Sequence, residues 1–351
     1  MPTTRHHRRP SARPCGLAAA LVASCLATAP LLAPTPAAAA APPTGPAGVR
    51  YFNGDLGEAL AHAAKTGKRV FVDFDASWCP SCRQLEREVL ATPEGSRLLS
   101  GLVAVHVDFD DEKNRRWVEK YVILGLPTAV VLDAQGEQLV RVMGYEGKQA
   151  WTAPFQAALS AKDPLPGLRA AFAATPGDDG TRLALGKALL VRGKREEAEA
   201  TLEPLLFAPL GRIAGDDAHA KERRDHQKER AAEALWVLGR YHHRVRRDPG
   251  TAQHFWRELA TRFGKTSWAG GAWHWYAKAQ AELGRPEAGA AAFAGLARRK
   301  PEDAVPLQAW LDFARKYKLE GERAALKAAI AALPAGAPRD GLHQSMQAWQ
   351  P

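Results

Sequence analysis

From residue 50 onward the apolar positions switch between two periods, and the switches outline the fold. Residues 51–63 open Y-F-N-G-D and continue LGEALAHAA, with apolar residues at helical spacing. A β-rich run, VFVDFD, follows from Val70 to Asp75. Residues 83–100, RQLEREVLATPEGSRLLS, return to helical spacing with a break at Pro93 and a short second helix. GLVAVHVDFD predicts a second strand, and DEKNRRWVEKYV a helix. TAVVLDAQGEQLVRVMGY predicts a hairpin that turns at Asp133 to Gly136, and WTAPFQAALS a closing helix. The order β-α-β-α-β-β-α after a leading helix mixes a parallel βαβ unit with an antiparallel hairpin. It predicts an α/β domain over residues 50–160, a central mixed sheet flanked by helices.

From Lys162 the strand-type runs vanish. Ala, Leu, Arg and Glu dominate, in helical segments separated by Gly and Pro, so residues 161–351 are expected to form an all-α domain. Repetition is visible but irregular. One unit has Leu185-Gly186, Leu189, Gly193, Ala198, Leu202 and Leu205; a later one has Trp273, Tyr276-Ala277, Gly284, Phe293, Leu296 and Pro301. Both follow the spacing of a helix-turn-helix repeat of about 34 residues, the tetratricopeptide pattern. Leu235, Leu238-Gly239 and Phe255 fit a third unit. The wide gap between Gly186 and Gly239 makes the charged stretch 212–230 an insertion or a longer helix.

The N-terminal 40 residues read differently. Arg5, Arg8, Arg9 and Arg13 precede an apolar stretch from Leu17 to Ala33, and PTPAAAAAPP follows with small-residue cleavage sites. This pattern predicts a secretory signal over 1–40, cut near Ala39 to Ala41, and a Pro/Ala-rich linker over 41–49. Val22-Ala23-Ser24-Cys25 offers an alternative, a lipobox with Cys25 as the lipidated residue of a membrane-anchored lipoprotein. Both routes lead out of the cytoplasm, to a periplasmic or equivalent compartment where disulfides persist. No apolar run of about 20 residues follows residue 40, so no transmembrane segment is expected in the mature chain.

Charge narrows the partners. The net +10 is unevenly spread: residues 41–160 carry net −2 and residues 161–351 net +8. The second half is mildly basic but lacks the dense stripe of a nucleic-acid binder. With 46% hydrophobic and 25% charged residues the chain is not disordered. Of four cysteines, Cys15 and Cys25 fall in the leader, which leaves Cys79 and Cys82.

Those two stand in VDFDASWCPSC, a C-x-x-C at the end of a strand and the start of a helix. This placement makes a thiol–disulfide centre. The turn brings the sulfurs within bonding reach, and the helix N-terminus favours a thiolate on the first. Cys79 is expected to be the exposed, activated sulfur and Cys82 the buried, resolving one. Pro80 suits the first helical turn. Ser81 can donate a hydrogen bond toward the sulfurs, and Pro80 and Ser81 together tune the potential.

The segment resembles the active site of the thioredoxin superfamily. The wider run, with VILGLPTAVVLDAQGEQLVRVMGY and its Gly144, is similar to the C-terminal thioredoxin-like domain of the thiol–disulfide interchange protein family. The resemblance covers residues 50–160. It implies a Cys79–Cys82 redox disulfide as the only redox group, with no separate cofactor and no metal. It makes Pro127, in Gly125-Leu126-Pro127-Thr128, a cis-proline whose loop lies beside the dithiol, with the Leu126 backbone pairing with a substrate strand. It makes Asp73 a buried, unusually basic carboxylate that takes the proton of Cys82. Trp78 would be the tryptophan that shields the motif. Three positions depart from the pattern: Asp75 stands where a second tryptophan is common, His106 where a buried lysine is, and Ser81 where a proline is common between the cysteines. The transmembrane electron-carrying region of the interchange protein is absent from this likeness, so a membrane thiol reductase is the implied electron donor and disulfide-bearing proteins are the substrates.

Other chemistry fits these residues less well. Zinc at Cys79 and Cys82 needs two further ligands, and His106 is the one nearby residue that offers itself. His242-His243 beside Arg244 and Arg246 reads as a solvated helix end rather than a metal or anion patch. Trp268, Trp273, Trp275 and Tyr276 read as packing between helices rather than a peptide groove. No Walker loop, G-x-G-x-x-G, Ser/His/Asp signature or H-E-x-x-H is present. The expected function is an exported thiol–disulfide oxidoreductase whose helical repeats bind protein partners. The alternative is a non-enzymatic scaffold that uses the thioredoxin-like fold as a docking module.

Overall fold

The computed structural model describes residues 48–160, 163–207 and 217–349. The expected signal peptide, its cleavage site and the lipidation site at Cys25 lie outside these residues. Pro46–Pro351 make one compact unit.

Four strands form its sheet. β1 (Val70–Asp75) pairs in parallel with β2 (Val103–Asp108) and antiparallel with β3 (Thr128–Leu132), which pairs antiparallel with β4 (Gln138–Met143). The order is β2-β1-β3-β4, so the strand that leads into C-x-x-C is central. VFVDFD is buried nearly throughout because both faces of the sheet are covered. Val70, Val72 and Phe74 pack under α1 (Leu56–Thr66) and against Val118 of α4 (Arg115–Lys120). Phe71, on the opposite face, packs with Leu85, Val89, Trp151 and Phe155, the last two from α5 (Lys148–Ser160). The alternation of side chains along β1 therefore puts Asp73 on the Phe71 face.

The leading helix starts later than the apolar spacing implies. Asp55 caps it, accepting from the Glu58 N–H while the Glu58 side chain accepts from the Asp55 N–H, and Gly67 ends it at φ +66°. Tyr51 stays extended and bridges to Ala104 on β2. After the cysteines, α2 (Pro80–Leu85) runs on through a π-turn at Glu86–Leu90, and α3 (Pro93–Leu98) begins at Pro93 with Thr92 as its cap.

The second half is all helix: α6 (Leu165–Ala174), α7 (Asp179–Leu190), α8 (Arg195–Phe207), α9 (Ala218–Arg240), α10 (Pro249–Arg262), α11 (Ala272–Glu282), α12 (Pro286–Arg299), α13 (Ala304–Lys316), α14 (Arg323–Ala331) and α15 (Ala337–Gln347). The two glycines aligned by the repeat pattern sit where helices approach most closely. A Cβ on Gly186 of α7 would lie 2.5 Å from Leu202 of α8, and one on Gly239 of α9 would lie 3.0 Å from the Trp256 ring of α10. The irregular gap between them holds a longer helix: α9 has 23 residues. A shared cluster joins the halves. Val122 and Leu124 of the α/β half pack with Leu185, Leu189, Val237 and Tyr241.

Candidate active site

At the end of β1 the chain turns, and Cys79 becomes the N-cap of α2. The Cys82 N–H donates to Cys79 Sγ at 3.2 Å, and Ser81 Oγ lies 3.4 Å from the same sulfur. Pro80 occupies the first helical turn, where a missing N–H costs nothing. Cys79 and Cys82 are joined as a disulfide, with Cα atoms 5.3 Å apart.

The opposite wall is the loop into β3. Its Leu126–Pro127 peptide is cis. Leu126 and Phe109 pack against Ala76, Cys79 and Cys82. The loop is tied down on all sides but one. Arg141 donates to the carbonyls of Tyr121 and Val122, and Arg240 Nε to the carbonyl of Leu124 at 2.8 Å. Thr128 Oγ1 donates to Gly125 O at 2.7 Å, and the Gly144 N–H to Pro127 O at 2.8 Å. Gly144 does so at φ +85°, which favours a residue without Cβ. Among the described residues no backbone group bonds Leu126.

Asp73 is 3% exposed, so it is not an edge carboxylate facing water. Tyr51 Oη donates to its Oδ2 at 3.0 Å, and Oδ1 has no partner among the described residues. Burial, reinforced by the charge of Asp75, pushes the Asp73 carboxyl up to about 7, against the pull of the Tyr51 hydrogen bond and of His106. His106 pairs with Asp75 through Nε2 at 2.6 Å, a bond that raises its pKa. Glu86, one turn beyond Cys82, is also held above the usual carboxylate range by burial and by Asp75. Sequence reasoning passed over Tyr51 and Glu86. The spacing of Glu86 from Cys82 was a readable signal; that of Tyr51 was not.

The exposure expected of Cys79 is not found. Cys79 is 3% and Cys82 4% exposed. Phe109 and Leu126 lie against both, and the helical half adds a further cover. Arg244 lays its guanidinium 4.4 Å from the Phe109 ring centre and 5.6 Å from that of Trp78. Trp78 itself is 53% exposed, with its indole N–H donated to Asp110. It stands at the rim and is not packed in the core.

His242 and His243 also differ from expectation. Both are buried, not solvated. His243 Nε2 lies 2.8 Å from Glu282 while its Nδ1 accepts from Trp256 Nε1 at 3.1 Å, and His242 Nε2 lies 3.1 Å from Glu199. The π-turn Tyr241–Val245 that ends α9 rotates both rings inward. The tryptophans pack between helices: Trp275 stacks on Trp256 at 5.8 Å, and Trp268 meets Trp236 at 5.4 Å.

A mixed sheet that delivers a C-x-x-C to a helix start, opposite a cis-proline loop, defines residues 56–159 as a thioredoxin-like domain, and the thioredoxin-like domain family matches those same residues. Two relatives are similar over about a third of the chain or less. The thiol:disulfide interchange protein DsbD of Ralstonia nicotianae is 32% identical over 30% of this chain and 18% of that protein. DsbD of Cronobacter sakazakii is 36% identical over 26% of this chain and 16% of that protein. The chain thus spans less than a fifth of the length of these relatives. A solved thioredoxin from Thermus thermophilus is 31% identical over 32% of this chain and 85% of its own, with a TM-score of 0.28. Among the described residues no helix is long and apolar enough to cross a membrane.

Proposed function

We propose that the chain is an exported protein-disulfide oxidoreductase that works through the Cys79/Cys82 dithiol and needs no other redox cofactor. The observation that carries this reading is the Cys79–Cys82 disulfide at a helix start, facing a loop whose Leu126 backbone has no hydrogen-bond partner among the described residues. In the reduced protein the Cys79 thiolate attacks a client disulfide, forming a mixed disulfide and releasing one client thiolate. Cys82 then gives its proton to Asp73 and attacks the Cys79 sulfur. The second client thiolate leaves, two electrons have passed to the client, and Cys79–Cys82 is oxidised. Leu126 holds the client as an added strand during the attack. A membrane thiol reductase returns the electrons. The leader carries the protein out of the cytoplasm, by cleavage or by lipidation at Cys25, and the tetratricopeptide-like helical half binds protein partners.

Insulin reduction by the full chain tests this. Wild type is expected to reduce insulin in the presence of dithiothreitol, and Cys79→Ser to fall to the uncatalysed rate. Equal rates for the two would end the proposal. A titration against glutathione sets the direction: a potential near that of thioredoxin, about −270 mV, marks a reductase, and one near about −120 mV an oxidase.

A further inference from the structure

Two arginines of the helical half lie on the residues that surround the dithiol, one turn apart at the end of α9 and in the turn that follows. Arg240 binds the Leu124 carbonyl and lies against Gly125, directly before Leu126-Pro127. Arg244 covers Phe109 and Trp78, which flank the cysteines. Their neighbours have counterions: Arg247 pairs with Glu112, Arg115 with Glu119, and Lys278 with Glu282. Neither Arg240 nor Arg244 makes an ion pair among the described residues. Asp110 attracts Arg244 but is engaged by the Trp78 indole. Arg240 has only the Leu124 carbonyl and the faces of Trp236 and Trp275, at 5.2 and 4.6 Å.

We propose that Arg240 and Arg244 form a cationic wall on the client groove, so that the dithiol prefers disulfides flanked by Asp or Glu. The inference rests on the oxidoreductase reading above and names its substrate class. A client strand paired with Leu126 runs between the two guanidinium groups. Both are half-buried, and the charge of Arg244 adds to the burial that lowers the pKa of Arg240. A client carboxylate arriving there relieves that repulsion and meets donors already stripped of part of their water. A client lysine meets the reverse. This makes Arg244 a specificity residue at the rim and Arg240 both a specificity residue and a tie for the loop.

The test uses three disulfide-linked, self-quenched peptide dimers that differ only in Glu, Ala or Lys beside the cysteine. The full chain is reduced with dithiothreitol, freed of excess reductant, and mixed with each dimer. One turnover converts the dimer to two thiol peptides and the protein dithiol to its disulfide. Wild type is expected to reduce the Glu dimer about tenfold faster than the Lys dimer, and high salt to narrow that ratio. Arg244→Gln is expected to bring the ratio to within about twofold of unity, Arg244→Lys to restore most of it, and the exposed neighbour Arg246→Gln to keep the wild-type value. Equal rates for all three dimers, or a ratio that survives Arg244→Gln, would overturn the inference and leave the oxidoreductase intact. A wild type as inert as Cys79→Ser toward every dimer would overturn both.

Discussion

Asp73 shows how one buried side chain couples chemistry to stability. Its carboxyl is shifted from an ordinary 3.8 to about 7 in the folded protein. Below about pH 4 it is protonated both folded and unfolded. Between about 4 and 7 only the folded state keeps the proton, so stability declines as pH rises through that window and levels off above it. A shift of roughly three units corresponds to about 4 kcal/mol. Asp73→Asn is therefore expected to be about 2–4 kcal/mol more stable than wild type at pH 8 and nearly equal at pH 4, as read by urea unfolding at the two pH values. The same variant is expected to slow resolution of the mixed disulfide and to erase an inflection near pH 7 in stopped-flow traces. At the neighbouring position, Cys82→Ala leaves Cys79 without a resolving partner. It is expected to accumulate client mixed disulfides, visible as dithiothreitol-sensitive adducts on non-reducing gels.

At the level of elements, helix contacts in the second half turn on single glycines. The Cβ absent from Gly186 leaves room for Leu202, and Gly186→Val is expected to cost about 1–3 kcal/mol by overpacking α7 against α8. Gly167 in α6 has open space around its missing Cβ. There Gly→Ala gains helix propensity, and about 0.5–1 kcal/mol of stabilisation is expected. Thermal unfolding of the two variants should move in opposite directions. The cis-proline loop is held by Arg141, Thr128 and Gly144 from the α/β half and by Arg240 of α9 from the helical half. Part of what holds this loop therefore comes from the helical half.

Within residues 48–349 the α/β and helical halves share apolar surface, and they are expected to unfold together. Leu189 of α7 is fully buried in the cluster that takes in Val122 and Leu124. Leu189→Ala is expected to cost about 2–5 kcal/mol and to lower the unfolding midpoint read by tryptophan fluorescence and by alkylation of Cys79 and Cys82 together. Two separate transitions in wild type would contradict this coupling. The exposed pair Arg247–Glu112 also spans the halves. Breaking it should matter by no more than about 1 kcal/mol, because solvent screens both charges.

Strand positions, the hairpin turn, the dithiol and the change to helices after residue 160 were all readable from the chain. Each depends on local properties: a side-chain period, a turn residue, or two cysteines three apart. The roles of Asp73 and Pro127 came from the resemblance to the thioredoxin superfamily, carried by the dithiol segment and the Gly-Leu-Pro-Thr loop. The folded molecule alone brought Tyr51 onto Asp73, turned His242 and His243 inward, and packed Phe109 and Leu126 against a Cys79 expected to be exposed. Such contacts join segments far apart in the chain, and hydrophobic periodicity says which face is covered without saying what covers it.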